Sequence, residues 1–327
     1  MLAKAFFISV MALGAITSLQ SYDVLTDYRL HGIENIQKKM DKELAKKSYW
    51  IKYLKTQDTT FGYLEKYSNV LACNKSKATL ELYTKNSKGR FYNKDKHHAY
   101  TGKNKGDKQT EGDLRTPVGI YNIVSKKNQR NLDPFYGPLA FVTSYPNLYD
   151  KYRGKDGHGI WIHGFPLNNE KRNKYTKGCI ALHNSNLQCL EQEIKIDNTV
   201  LIIAEHQVKK NIPKSTLAKI LADLYAWRYA WIYNNIETYL NFYSSDFKRA
   251  DGTTYRFFAR YKRRIFNKKE NKTIIFTNLN VIPYPGKYNV YQITFNEQYK
   301  SDTFRFNGEK ELLVRFTHNH IKIFLEK

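Results

Sequence analysis

The chain has 327 residues, 41% of them hydrophobic and 15% aromatic, which supplies packed cores for two or three domains and excludes a chain disordered throughout. Its 54 Lys and Arg stand against 30 Asp and Glu, a formal net charge of +24. Such a field favours anionic partners, although the general richness in Lys, Asn, Ile and Tyr accounts for the charge equally well.

Residues 1–20, MLAKAFFISVMALGAITSLQ, carry Lys4, an apolar run and small residues near a cleavage point. They read as a secretory signal peptide or, if uncleaved, as an N-terminal anchor; the apolar run is short of the ~20 residues a membrane span needs. Export makes nucleic acid an unexpected partner and the wall and other anionic surface polymers the expected ones. Residues 21–68 read as helical, because Ile33, Ile36, Met40, Leu44, Ile51 and Leu54 recur mostly on one face. So short a segment cannot bury that stripe alone, so it packs on the next domain or on a second copy in a homodimer.

From residue 69 the pattern changes to short strands. Residues 78–83 and 89–92 flank the turn at 85–88, and 120–124, 139–145, 159–163 and 199–204 follow as further strands. The adjacent His97 and His98 point to opposite sides of a strand, which argues against a shared metal. Asn184 or Ser185 is the expected N-cap of a helix carrying Leu187, Leu190 and Ile194. The domain ends near 207, Pro213 marks a boundary, and 213–327 form the last domain. There a helical period runs from 215 to about 243, followed by strand alternation at 290–295, 312–316 and 320–325, with Ile321, Ile323 and Leu325 on one face. A cluster of Arg256, Arg260, Lys262, Arg263 and Arg264, interleaved with Tyr255, Phe257, Phe258 and Tyr261, suits an anionic glycan. A solvated helix face above an apolar stripe is the equal alternative.

The chemistry concentrates in residues 160–184, IWIHGFPLNNEKRNKYTKGCIALHN. A cysteine attacks as thiolate and needs a base within hydrogen-bond reach; His163 can be that base for Cys179. Gly178, without a side chain, lets backbone N–H groups of Gly178 and Cys179 turn towards one point beside the sulfur, as an oxyanion hole requires. Three cysteines cannot all pair. Cys73 and Cys189 form a disulfide or stay as two buried thiols, and the odd count leaves one free thiol.

The order HG, loop, [S/T]-x-G-C, apolar run and Asn resembles the signature of the L,D-transpeptidase catalytic domain (YkuD type), and GDLRTPVGIY at 112–121 resembles a second block of that family. The segment WIYNNIETYLNFYSSDF with a terminal strand ending in Glu326 resembles the NTF2-like fold. Together with the helical N-terminal segment, this order is similar to the cell-shape-determining L,D-carboxypeptidases of curved and helical bacteria. The resemblance implies a mainly β catalytic domain of L,D-transpeptidase fold at 69–207, an N-terminal helical segment, and a C-terminal α+β NTF2-like domain. It further implies peptidoglycan stem peptides as substrate, Cys179 as nucleophile, His163 as base and then acid, and no metal or cofactor. The family's usual signature has Arg two residues after the cysteine, where Ala181 stands here. Arg115, Arg153, Lys155 or Lys177 would then hold the substrate carboxylate, with Trp161, Gly164 and Ala181 as further substrate contacts. A papain-like reading fails, since His precedes Cys.

Overall fold

The computed structural model describes residues 24–167, 174–210 and 212–327, so the signal-peptide reading falls outside the described residues. Residues 24–44 form α1 and α2 follows at Lys47–Leu54. The helical expectation for 21–68 ends there. After Leu54 the apolar stripe stops, and Gly62 at φ +100 turns the chain into β1 (Tyr63–Leu64), where a Cβ would lie 2.1 Å from the Val281 carbonyl. That strand pairs with the C-terminal sheet. Trp50 and Leu54 are buried, whereas Ile33 and Met40 are 63% and 47% exposed.

The next eight strands are β2 (Asn69–Asn74), β3 (Thr79–Lys85), β4 (Phe91–His98), β5 (Gly119–Asn128), β6 (Leu139–Thr143), β7 (Trp161–His163), β8 (Ile180–Ala181) and β9 (Thr199–Ala204). They form one sheet in the order β4-β3-β2-β9-β5-β6-β7-β8, with α3 (Leu148–Tyr152) and α4 (Asn184–Glu193) beside it. The sheet is mixed, since β2 pairs β9 and β7 pairs β8 in parallel.

The unbroken apolar run of β9 has a physical cause. Leu201 and Ile203 enter the core of this domain with Leu71 and Cys73 of β2. Val200 and Ile202, with Val70 and Ala72, enter a second core against Ile282, Tyr284, Leu313 and Phe324 of the C-terminal domain. Strands covered on both faces lose polar alternation, so the two domains share a core rather than a linker.

The C-terminal domain runs α5 (Lys214–Ile232), α6 (Ile236–Asn241), β10 (Tyr243–Arg249), α7 (Tyr255–Phe266), β11 (Lys272–Pro283), β12 (Val290–Ser301), β13 (Arg305–Thr317) and β14 (His320–Glu326), with sheet order β1-β11-β12-β13-β14-β10. The helical period expected over 215–243 is broken at 233–235. Asn234 takes φ +57, which Asn tolerates, and the Asn235 side chain caps α6 on the Thr238 N–H. A register shift between Leu313 and Val314 on β13 sends Leu325 into the interdomain core, while Ile321 and Ile323 face the domain's own core; the three do not share one face. All three cysteines are free; Cys73 is buried and Cys189 exposed, which removes both the disulfide and the pair of buried thiols.

A charged cluster lies inside the C-terminal domain. Lys310 pairs with Glu326 at 2.9 Å, the Tyr243 hydroxyl donates to Glu326 at 2.9 Å, and Lys262 lies 4.4 Å from the Trp231 ring centre. Burial pushes the Lys262 ammonium down to about 8 and the Glu297 carboxyl up to about 7. The folded protein therefore keeps the Glu297 proton above its ordinary value of 4.5, and stability falls as pH rises through that window, since the unfolded chain has already released it. Thermal unfolding between about pH 5 and 8 checks this: the wild-type Tm declines with pH more steeply than that of Glu297→Gln.

Candidate active site

Strands β7 and β8 lie in parallel register with Ile162 opposite Ile180 and His163 opposite Ala181. Ile162 and Ile180 are wholly buried in the core. Alternation along a strand then puts Trp161, His163 and Cys179 together on the opposite face. Cys179 stands beside Trp161, whose backbone N–H points at the sulfur (N to Sγ 3.4 Å), and Sγ lies 3.5 Å from the Gly159 carbonyl. An N–H dipole aimed at sulfur favours thiolate.

His163 is 1% exposed, with Nδ1 2.8 Å from the Gly164 carbonyl. A carbonyl can only accept, so Nδ1 carries the proton and Nε2 keeps the lone pair of a base. The ring meets Tyr136 edge-on at 5.0 Å, and Tyr136 also meets Trp161 at 5.1 Å. The backbone around it is fixed by Gly164 N–H to Tyr136 O at 2.8 Å and Leu182 N–H to His163 O at 2.9 Å. Asn184 closes the clamp, accepting from Phe165 N–H at 2.7 Å and donating to Phe165 O at 3.2 Å. Its side chain is thus committed, and the N-cap of α4 is His183 rather than Asn184 or Ser185. A Cβ on Gly164 would lie 2.3 Å from Asn184 Oδ1, which accounts for the glycine.

The turn carrying Cys179 is held equally firmly. Gly178 takes φ +135, and a Cβ there would lie 2.9 Å from the Arg115 carbonyl. Its N–H donates to Thr176 Oγ1 at 3.0 Å, and that hydroxyl donates to the Cys179 carbonyl at 2.7 Å. The Gly178 amide is therefore committed to the Thr176 hydroxyl inside the turn.

The candidates for binding substrate separate clearly. Trp161 is half-buried beside the sulfur, Lys177 is exposed on the turn, and Arg115 abuts Gly178, with its Nε buried and unpartnered among the described residues. Arg153 and Lys155 do not join them. Arg153 pairs with Asp107 and Asp150 at 3.0 Å each, and Lys155, its side chain wholly buried, pairs with the same two at 2.7 and 2.9 Å. Ala181 is wholly buried between His163 and Tyr100, exchanging both backbone hydrogen bonds with Tyr100, and Gly164 is buried and acts through its carbonyl. Sequence reading missed Tyr136 and a second aromatic wall in which Tyr100 meets Phe165 at 5.1 Å and Phe165 meets His183 at 4.6 Å. Tyr100 pairs with Ala181 and so shares the face of His163.

Fold and site define a mixed-sheet domain with a cysteine and an oriented histidine on one face, joined through a shared core to an α+β domain of helices and one six-stranded sheet. The L,D-transpeptidase catalytic domain (YkuD) matches residues 68–202, and the Cds6 C-terminal NTF2-like domain matches 219–327. The helical cell shape determining protein Pgp2 of Campylobacter jejuni is 37% identical, with a TM-score of 0.78 and coverage of 86% of this chain and 99% of Pgp2; a point mutant of Pgp2 gives 0.80, 88% and 99%. Bd1075 of Bdellovibrio bacteriovorus is 26% identical, with a TM-score of 0.64, over 83% of this chain and 95% of Bd1075. YafK of Escherichia coli K12, named as a candidate L,D-transpeptidase, is 31% identical over 139 residues, which are 42% of this chain and only half of YafK. The chain belongs to the L,D-transpeptidase family, in the two-domain form that it shares with Pgp2.

Removing one partner of a buried ion pair leaves the others uncompensated, at about 3 kcal/mol or more. Lys155→Met is accordingly expected to lower unfolding stability by about that amount while leaving KM for substrate unchanged in the folded fraction. Urea titration and steady-state kinetics on the same sample check it. A raised KM at full stability would return Lys155 to the substrate site.

Proposed function

We propose that this protein is a periplasmic cysteine L,D-carboxypeptidase that trims the terminal D-alanine from peptidoglycan stem tetrapeptides, leaving tripeptides, and so sets cell shape. The observation that carries the reading is the common face of Cys179 and His163, with His163 held by Gly164 in the tautomer that leaves Nε2 basic. Likeness to Pgp2 along nearly the whole of that chain supports the role in shape.

In this mechanism His163 Nε2 takes the thiol proton and Cys179 Sγ attacks the carbonyl of the diamino acid at position three. The developing oxyanion is met by the Cys179 amide; the Gly178 amide would have to leave Thr176 to join it. As the tetrahedral adduct collapses, His163 returns the proton to the departing D-alanine nitrogen and a thioester remains on Cys179. Water, deprotonated by His163, then opens the thioester and restores the thiol. Arg115 and Lys177 supply positive charge for the substrate carboxylate that an Arg after the cysteine would otherwise hold. A transpeptidase must also seat the amine of a second stem, and Ala181, buried between strands, contributes nothing to such a groove. Water needs none.

Two further proposals concern the remaining surfaces. On α7, Arg256, Arg260 and Arg264 are exposed beside Phe257 and Tyr261, 59% and 46% exposed, a face suited to anionic glycan; Lys262 is turned inward and Arg263 pairs with Glu237. The exposed Ile33 and Met40 on α1 suit a homodimer contact.

Purified protein given defined tetrapeptide muropeptides should yield tripeptide and free D-alanine, read by mass. Cys179→Ala should abolish release with unchanged thermal unfolding, and His163→Ala should slow release by about 10²- to 10⁴-fold in the folded fraction, with a lower Tm because the buried ring is lost. Dimers joined between two diamino acids, if they outnumber tripeptide, would make the enzyme a transpeptidase. Full wall binding with no turnover in the wild type would make it a binding protein.

A further inference from the structure

The C-terminal domain reaches beyond the shared core into the polar network beneath the Cys179 turn. Residues 284–289 join β11 to β12, and Lys210 fixes that turn by donating to the Tyr284 carbonyl at 2.7 Å and the Lys287 carbonyl at 2.6 Å. The Tyr284 side chain is wholly buried, its ring edge-on to Tyr149 at 4.8 Å. Its hydroxyl lies among residues of the catalytic domain, where it accepts from Asn147 Nδ2 at 2.9 Å. The same amide nitrogen donates to the Ile120 carbonyl at 2.9 Å, and Asn147 Oδ1 accepts the Asp150 N–H at 2.8 Å.

Two contacts carry this support towards Cys179. A Cβ on Gly119 would lie 2.5 Å from the Tyr121 hydroxyl oxygen and 2.8 Å from that of Tyr284, so this glycine admits one phenol from each domain. A Cβ on Gly286 would lie 3.5 Å from Val118 Cγ1, so the 284–289 turn also covers Val118, whose N–H is held by Asp107 at 2.7 Å. From Val118 the chain runs back through Thr116 and Arg115. Thr116 is wholly buried; its hydroxyl accepts the Gly102 N–H at 2.8 Å and lies 3.5 Å from the Cys179 carbonyl. The Arg115 carbonyl faces Gly178. These contacts fix the seat of the turn, and the turn sets how Sγ meets the Trp161 N–H.

We infer that Tyr284 is a positioning residue for Cys179, and that the C-terminal domain completes the support of the Cys179 turn through residues 284–289. Without the Tyr284 hydroxyl, one N–H of the buried Asn147 amide has lost its acceptor. Asn147 regains a partner only by turning, and Asp150 and the 107–118 segment move with it. A shift of about 1 Å at a reacting atom costs a large factor in rate. The positioning role rests on the Cys179 chemistry proposed above; the reach of Tyr284 into the catalytic domain rests on the geometry alone.

The test is Tyr284→Phe in the full chain, which keeps the ring and removes the hydroxyl. Alkylation by iodoacetamide at pH 7, read by mass on the peptide that holds Cys179 and so apart from the exposed Cys189, should slow about tenfold in the folded fraction. The kcat for D-alanine release should fall by a similar factor with KM unchanged. Tyr149→Phe, which removes a neighbouring hydroxyl and keeps the ring that meets Tyr284, should match wild type in both. In an Asn147→Ala background, Tyr284→Phe should add no further slowing, because the two act through one contact. Wild-type alkylation in Tyr284→Phe, with only a lower Tm, would make the contact structural and overturn the inference. Equal slowing in Tyr149→Phe, or a full further slowing in the Asn147→Ala background, would overturn it as well. Alkylation needs no substrate and wild-type release is measured separately, so failure of this inference and failure of the carboxypeptidase reading are distinguishable.

Discussion

The turn that carries Cys179 depends on how one buried charge is met. Asp150 is wholly buried, and a carboxylate there persists only if cations and hydrogen bonds replace its water. It receives Arg153, Lys155 and the Tyr121 hydroxyl, the last at 2.9 Å, and it closes a capping box with Asn147 at the start of α3. Arg153 and Lys155 extend the network to Asp107, which also accepts the Val118 N–H at 2.7 Å. The segment 107–118 is thereby tied down, and its Arg115 carbonyl is the surface on which Gly178 closes. From the other domain, the Tyr284 hydroxyl accepts from Asn147 at 2.9 Å. Burial and Asp150 push the phenols of Tyr121 and Tyr284 far above their ordinary range, so both stay neutral.

That network also shows where sequence reading reaches its limit. Arg153 and Lys155 sit in a basic, glycine-rich stretch shortly before the motif, and nothing local reveals that Asp107, more than forty residues upstream, holds both. Positive charge near a motif reads as substrate binding until its partner is seen. The meeting of Cys179 and His163 on one face was legible for the opposite reason. Gly-Cys after a polar loop, and His at the end of an apolar run, are local patterns, and the parallel pairing of β7 with β8 brings them to one face. What the pattern did not carry was the fate of the Gly178 amide, which a hydroxyl two residues away decides.

The strands divide along the same line. Residues 199–204 read as a buried strand and are one, because burial on both faces removes the need for alternation. The strand β11, Lys272–Pro283, escaped notice, as its apolar positions are interrupted by Asn278 at φ +56 and by the register shift against β12. Bulges and positive-φ residues are set by tertiary pairing, so a period counted along the chain loses phase there. The same effect puts Leu325 in the interdomain core, where it helps to bind the two domains into one body.

The peptide carbonyl that holds His163 Nδ1 bears on why a thiol suits the proposed mechanism. It fixes the ring and its tautomer but brings no full negative charge to steady an imidazolium. A free thiol, near 8.5, and a free imidazole, near 6.5, differ by about two units, so moving the proton between them costs only about 3 kcal/mol. An alcohol is a far weaker acid, and the same transfer from it would need an imidazolium held by a buried carboxylate. Cysteine makes that third charge unnecessary. The buried carboxylate of Asp150, with Asp107, holds the segment on which the Cys179 turn is built.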